Sequence, residues 1–102
     1  MRKKEESVVG QADFERIDGV IHQVQVGSDV NNRTTYRVGQ ELMDKRLRIS
    51  SIAIDRDFLT KYGKTHIVIM VHYGDSEKIF MEIVDQVILT HNMDEVLKGG
   101  SK

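Results

Sequence analysis

Residues 65–73 form the longest apolar and β-branched run of the chain, and this run constrains the fold more than any other segment. Side chains branched at Cβ are stiff at χ1 and pack well on a pleated surface, so we expect a strand that is buried on both faces. Turn-forming residues follow at 74–77, and a second apolar run occupies 78–84. The pattern predicts an antiparallel hairpin at the centre of a small sheet.

The second run has a competing interpretation as a helix. Its apolar residues, from Ile79 to Ile88, recur at a spacing of one and four, which is helical. About half of the stretch is β-branched, and this lowers its helix propensity. We therefore favour a strand, and keep as the alternative an α+β fold in which residues 76–98 are largely helical.

Shorter patterns predict two strands before this hairpin. The apolar residues of 14–26 alternate between two faces, which predicts a first strand. Gly19 within it indicates a bulge or a close backbone approach. A polar loop follows at 27–32, and residues 34–38 predict a second strand.

In the next predicted strand, the apolar residues shift from odd to even positions partway along. Leu47 and Ile49 occupy odd positions, whereas Ile52 and Ile54 occupy even ones. One additional residue in the ladder restores a single buried face, so we predict a β-bulge at Ser50 and Ser51. A simple end of the strand at this point is the competing interpretation.

Helix signals surround residues 55–63. Asp55 is suited to cap a helix, Phe58, Leu59 and Tyr62 share a stripe, and Gly63 is suited to the C′ position. We expect a helix of two turns that lids one end of the sheet. Asn92 and Glu95 resemble a capping box, which predicts a short helix to Lys98.

These elements together predict a mainly β protein: a small antiparallel sheet or partly closed barrel of five or six strands with one or two short helices. The length of 102 residues fits one domain. We expect residues 1–12 to be a flexible N-terminal segment, 13–98 to form the globular domain, and 99–102 to be a tail.

Composition narrows the classes of function. The chain has no cysteine, which excludes disulfides, thiolate zinc sites and cysteine nucleophiles. It has no apolar segment long enough to span a bilayer and no signal-peptide pattern, so we expect a cytoplasmic protein with no membrane partner. A net charge of −1 argues against a dedicated nucleic-acid-binding protein, because such proteins usually carry a basic excess.

One cationic region is the best candidate for a ligand-binding site. The candidate residues are Tyr36, Arg37, Arg46 and Arg48. Arg46 and Arg48 share a strand face, and we expect Arg37 to lie across from them, with Tyr36 nearby. Such a surface suits a nucleotide, a phosphate backbone or an acidic protein. Solvated arginines neutralised by nearby carboxylates are the competing interpretation.

Histidines and aspartates raise the question of catalysis or metal binding. His66 and His72 fall on the same strand face, but six residues of strand separate them by about 20 Å, too far to share an ion. Asp55 and Asp57 are explained by helix capping and surface ion pairs. We therefore predict no catalytic residue, no metal site and no cofactor.

Three functional hypotheses follow. The first is a non-enzymatic binding or assembly module that forms a homo-oligomer or a complex with another protein, such as a small accessory or inhibitor protein of a mobile element. The second is a small β-barrel that binds single-stranded nucleic acid or a nucleotide through the arginine-bearing face. The third is a small enzyme that uses His66, His72, Asp55 and Asp57.

Overall fold

The computed structural model describes residues 6–9, 11–27, 31–85 and 87–91. In this part of the chain it has nine strands and one helix. In chain order these are β1 (Glu6–Val9), β2 (Gln11–Ile17), β3 (Val20–Gly27), β4 (Arg33–Arg37), β5 (Glu41–Leu42), β6 (Leu47–Ile54), α1 (Arg56–Tyr62), β7 (His66–Tyr73), β8 (Ser76–Val84) and β9 (Val87–Thr90).

The strands form two antiparallel sheets. The larger sheet has the order β1-β9-β8-β7-β6-β5 and the smaller has the order β2-β3-β4. One residue separates β1 from β2, and residues 38–40 separate β4 from β5, so the chain passes twice from one sheet directly into the other. The sheets therefore curl into a partly closed barrel, and the prediction of a mainly β fold is confirmed.

The core lies between the two sheets. Its buried residues come from β3, β6, β7, β8 and β9, and in β7 every second residue from Ile67 to Val71 is buried, as the period of two in a strand requires. The buried core residues are Ile21, Val24, Val26, Leu47, Ile49, Ile52, Ile67, Ile69, Val71, Met81, Ile83 and Ile88. Tyr36 and Phe80 pack against them in an edge-to-face contact, with ring centroids 5.7 Å apart.

The central hairpin is formed by β7 and β8, as predicted. Tyr73 pairs with Ser76, and Gly74 takes the positive φ of 61° that the two-residue turn requires. The alternative of a helix from residue 76 is wrong up to residue 90, because two strands occupy this stretch. Strand pairing with β7 outweighs the helical spacing. The predicted helix at 92–98 lies outside the described residues.

The prediction of one strand over residues 14–26 is wrong. Asp18 and Gly19, with φ of 56° and 82°, form a two-residue turn, and Ile17 pairs with Val20 across it. Asp-Gly is a preferred sequence for this turn because both positions need positive φ. Gly19 is therefore a turn residue, and the segment forms the β2–β3 hairpin.

The predicted β-bulge in β6 is confirmed. The pairing with β7 shifts between Ile49 and Ser51, which leaves Ser50 as the additional residue. The Ser50 hydroxyl donates a hydrogen bond of 2.8 Å to Glu77 on β8. The bulge keeps Ile49 and Ile52 on the same buried face.

Helix α1 begins and ends as predicted. Asp55 is its N-cap, and Gly63 follows it in the left-handed conformation with φ of 69°. The predicted stripe is not buried, since no residue of the helix is buried and Leu59 and Tyr62 are exposed. The helix lies beside the start of β7, where the Phe58 ring contacts the His66 ring at 4.8 Å between centroids.

Strand β7 is fully buried on one face only. Ile67, Ile69 and Val71 point into the core, whereas Val68 and Met70 point outward and are half-buried. The prediction of a strand buried on both faces is therefore wrong for the outer face, because the described chain packs a core only against the inner face. The sheet begins before residue 13, where the sequence placed the start of the domain, because β1 pairs with β9 and β2 starts at Gln11.

Candidate binding groove

Large apolar side chains are exposed together at one end of the molecule. Ile17 and Val20 flank the turn of the β2–β3 hairpin and are 51% and 56% exposed. On helix α1, Leu59 and Tyr62 are 45% and 60% exposed. Positions three apart on a helix lie on the same face, so Leu59 and Tyr62 are neighbours.

A groove of about 570 Å³ runs between these two elements. Its walls are the tip of the β2–β3 hairpin, the second half of β6 and helix α1. The apolar residues that line it are Val20, Ile21, Ile52, Ala53, Ile54 and Leu59. Its size is within the range of ligand-binding sites in proteins.

One side of the groove is an open strand edge. Strand β6 pairs with β7 along its length, but on its other side β5 pairs only with Leu47 and Arg48. Ile49 extends this pairing by one residue, because its backbone N–H donates to the carbonyl oxygen of Gln40 and its carbonyl oxygen accepts from the N–H of Gly39. In the described part of the chain, no strand pairs with residues 51–54 on that side. An unpaired strand edge is a template to which another strand can add.

Two arginines line the same groove. Arg16 lies over the ring of Phe14, with its guanidinium carbon 5.2 Å from the ring centroid, and Arg56 is the first residue of α1. Neither forms an ion pair with another described residue, whereas Arg33 pairs with Asp13. The groove therefore combines apolar walls with two cations that have no carboxylate partner in the described part of the molecule.

Tyr36 and Arg37, which the sequence placed in one site, point to opposite faces of β4. Tyr36 packs toward the core, where burial raises the pKa of its hydroxyl above the ordinary 10.0. Arg37 points outward and donates a hydrogen bond of 3.0 Å from Nε to Gln23. The Tyr36 ring packs on Phe80 on the core side of the strand, so Tyr36 and Arg37 do not form one binding surface.

Arg46 and Arg48 lie together in a second groove of about 470 Å³. Lys45 and His72 line it as well, and residues 43–45 all have positive φ, which forms the left-handed turn that carries Lys45. Arg48 forms an ion pair of 3.0 Å with Glu41 on the same surface. The structure thus brings two of the four predicted site residues together; Tyr36 and Arg37 do not line this groove.

The residues of the enzyme hypothesis separate into two places. Nδ1 of His66 is 3.1 Å from Asp55, and its Nε2 faces Glu82 at 3.6 Å. His91 approaches Glu82 from the other side at 3.9 Å. His72 lies across from Arg48, at the other end of β7. Within the described ranges, no three His, Asp or Glu side chains are arranged to hold a metal ion.

Sequence reasoning did not identify the first groove. The Asp18 and Gly19 turn was the available signal, because it would have placed Ile17 and Val20 at an exposed hairpin tip. Nothing local connects that tip with Leu59 on α1, which lies about 40 residues later in the chain. The groove exists because the smaller sheet packs across β6.

Over the described residues, no helix has the length and apolar character to cross a membrane. In comparisons with known proteins, no family model, no curated protein and no solved structure matches this chain.

Proposed function

We propose that this protein is a non-enzymatic binding module that assembles with a protein partner through the apolar end described above. The observation that carries the proposal is that the exposed side chains of Val20 and Leu59 line one groove. Two further exposed apolar residues adjoin them: Ile17 pairs with Val20 across the hairpin turn, and Tyr62 is one helical turn from Leu59. Scattered apolar residues are normal on a protein surface, but a contiguous apolar patch with polar surroundings is typical of an interaction site.

The energetics favour a partner at this surface. Burial of apolar area contributes about 25 cal/mol per Å², so covering four large side chains stabilises a complex by several kcal/mol before the cost of association is subtracted. A domain of this size also has little stability to spare. Covering this end with a second copy or another protein would stabilise the fold.

The test is a substitution that adds charge to the patch without disturbing the core. Leu59→Asp and Val20→Asp alter exposed side chains of the groove, and Val38→Asp alters a third exposed side chain, which lies outside the groove lining. We expect light scattering over a range of concentrations, or capture of a partner from lysate, to show an assembly that the first two substitutions weaken and Val38→Asp preserves. A strict monomer, together with identical captured proteins for the wild type and Leu59→Asp, would contradict the proposal.

The second groove supports a different candidate function, the binding of a nucleotide or single-stranded nucleic acid. Lys45, Arg46, Arg48 and His72 share its lining, although Glu41 and Asp75 reduce its charge. Binding through phosphates must weaken with salt, so log K falls as log salt rises, and each lost contact makes this slope less steep by about 0.7 for single strands. Fluorescence anisotropy of a labelled oligonucleotide with the Arg46→Ala and Arg48→Ala variants tests this, and no binding at low salt removes the candidate.

A further inference from the structure

We propose that the groove accepts an extended, carboxylate-bearing apolar segment of a partner polypeptide, which adds as a strand to residues 51–54 of β6. This inference rests on the proposed function and specifies the chemistry of its partner. Three features carry it: the open edge of β6, the apolar walls beside that edge, and the two arginines in the same groove.

The open edge determines the conformation of the segment. The outward backbone N–H and C=O groups of residues 51–54 have no strand partner in the described part of the chain. Ile52 and Ile54 line the groove together with Val20 of the hairpin tip. An extended segment supplies complementary backbone groups at the strand spacing, whereas a helix has already used its own backbone groups internally. An extended segment therefore satisfies this edge, and a helix leaves it unpaired.

The walls of the groove determine the apolar side chains of the segment. Alternate residues of an added strand point to the same side, so every second side chain would face Val20, Ile21 and Leu59. The hairpin tip and helix α1 flank the edge, so a segment bound between them would be partly sheltered from water. Backbone hydrogen bonds in such a sheltered position contribute more than bonds that remain open to solvent.

The two arginines determine the charge that the bound segment should carry. Guanidinium groups bind carboxylates in bidentate geometry, and neither Arg16 nor Arg56 has a carboxylate partner among the described side chains. Acidic residues in the segment are therefore favoured over basic ones.

The experiment uses the full chain, immobilised, to select from a random display library of peptides. We expect enrichment of peptides that alternate apolar and acidic residues. The enriched peptide is then labelled for fluorescence anisotropy, and a version with alternate backbone amides N-methylated keeps every side chain but removes donors and blocks strand pairing. We expect N-methylation to abolish binding.

Charge-reversal variants test the two arginines. Arg16→Glu and Arg56→Glu are each expected to raise the Kd of the enriched peptide by about tenfold or more, as for loss of a hydrogen-bonded charge pair. Lys64→Glu makes the same change of charge at an exposed position outside the groove lining and is expected to leave the Kd unchanged. Hydrogen exchange should show slowed amides within residues 51–54 when the peptide is bound.

Several results would overturn the inference. Enrichment of basic peptides, binding that is insensitive to N-methylation, or protection of amides away from β6 would each reject an acidic added strand. If no peptide is enriched while Leu59→Asp still disrupts assembly of the protein, the proposed function stands and only this inference fails. If neither peptide enrichment nor assembly is found, both fail.

Discussion

The Nδ1 atom of His66, at the start of β7, lies 3.1 Å from Oδ2 of Asp55, the residue that caps helix α1. The other oxygen of Asp55 accepts hydrogen bonds from the backbone N–H groups of Asp57 and Phe58 at 3.1 and 3.2 Å. One carboxylate therefore joins the end of β6, the start of α1 and the start of β7. This joint holds the helix that forms one wall of the groove.

Replacement of Asp55 tests this joint. Asp55→Ala removes both the cap and the partner of His66, and we expect it to lower the free energy of unfolding by about 1–2 kcal/mol. Asp55→Asn keeps a side-chain oxygen that caps well, so its effect should be smaller. Urea unfolding followed by circular dichroism measures both. Equal losses for the two variants would show that capping is not the main contribution.

Tyr36 should make stability fall at alkaline pH. Burial raises the pKa of Tyr36 above 10.0, so the folded state favours the neutral hydroxyl. This contribution to stability is complete below the unfolded-state pKa near 10 and is lost as the pH rises through the folded-state pKa. We expect Tyr36→Phe, which keeps the ring on Phe80, to lose less stability than the wild type above pH 10.

A spectroscopic titration of the folded protein gives an independent check on Tyr36. The difference in tyrosinate absorbance between the wild type and Tyr36→Phe reports Tyr36 alone, and we expect it to develop above pH 10.0. A difference that is already complete below pH 10 would contradict the burial of Tyr36.

Gly27 at the end of β3 should tolerate no side chain. A Cβ at this position would overlap the backbone carbonyl oxygen of Asn32, which is not a flexible group that can move aside. We expect Gly27→Ala to lower the free energy of unfolding by about 2 kcal/mol or more. Gly19→Ala is the matched control, because it meets no atom within 4 Å and carries only the cost of its positive φ, about 1 kcal/mol. A smaller loss for Gly27→Ala than for Gly19→Ala would be inconsistent with this packing.

The two faces of β7 should respond differently to truncation. Ile69 is completely buried in the core, whereas its neighbour Val68 is half-buried on the outer face. We expect Ile69→Ala to cost about 2–5 kcal/mol of stability, since it leaves a cavity in a packed core. Val68→Ala should cost roughly half as much or less, because solvent or side-chain movement fills the space. Similar losses, measured by thermal or urea unfolding, would indicate that the outer face is also packed.

Local features of the sequence determined much of the fold. The β-branched run predicted β7, the parity switch predicted the bulge at Ser50, and Asp55 and Gly63 predicted the ends of α1. Each of these signals is contained within a few neighbouring residues, so it can be read from the chain. The Asp18 and Gly19 turn is equally local, because Asp-Gly is a preferred sequence for a two-residue turn. The interpretation of Gly19 as a bulge was therefore wrong although the signal was present in the sequence.

The candidate site was less accessible to sequence reasoning. Tyr36 and Arg37 are neighbours in a strand, and neighbours in a strand point to opposite faces, so their grouping in one site conflicted with the strand period. Arg46 lies in the turn before β6 and Arg48 lies on β6, and the structure nevertheless places both in one groove.

Tertiary structure decided which distant surfaces meet. Val20 and Leu59 face one groove only because the smaller sheet packs across β6, and His66 reaches Asp55 only because β7 pairs with β6. Packing of the two sheets depends on many weak contacts between residues that are far apart in the chain. A short sequence pattern therefore cannot predict it. The sequence by itself thus determined β7, the bulge in β6 and the ends of α1, whereas packing determined the groove and the strand edge beside it.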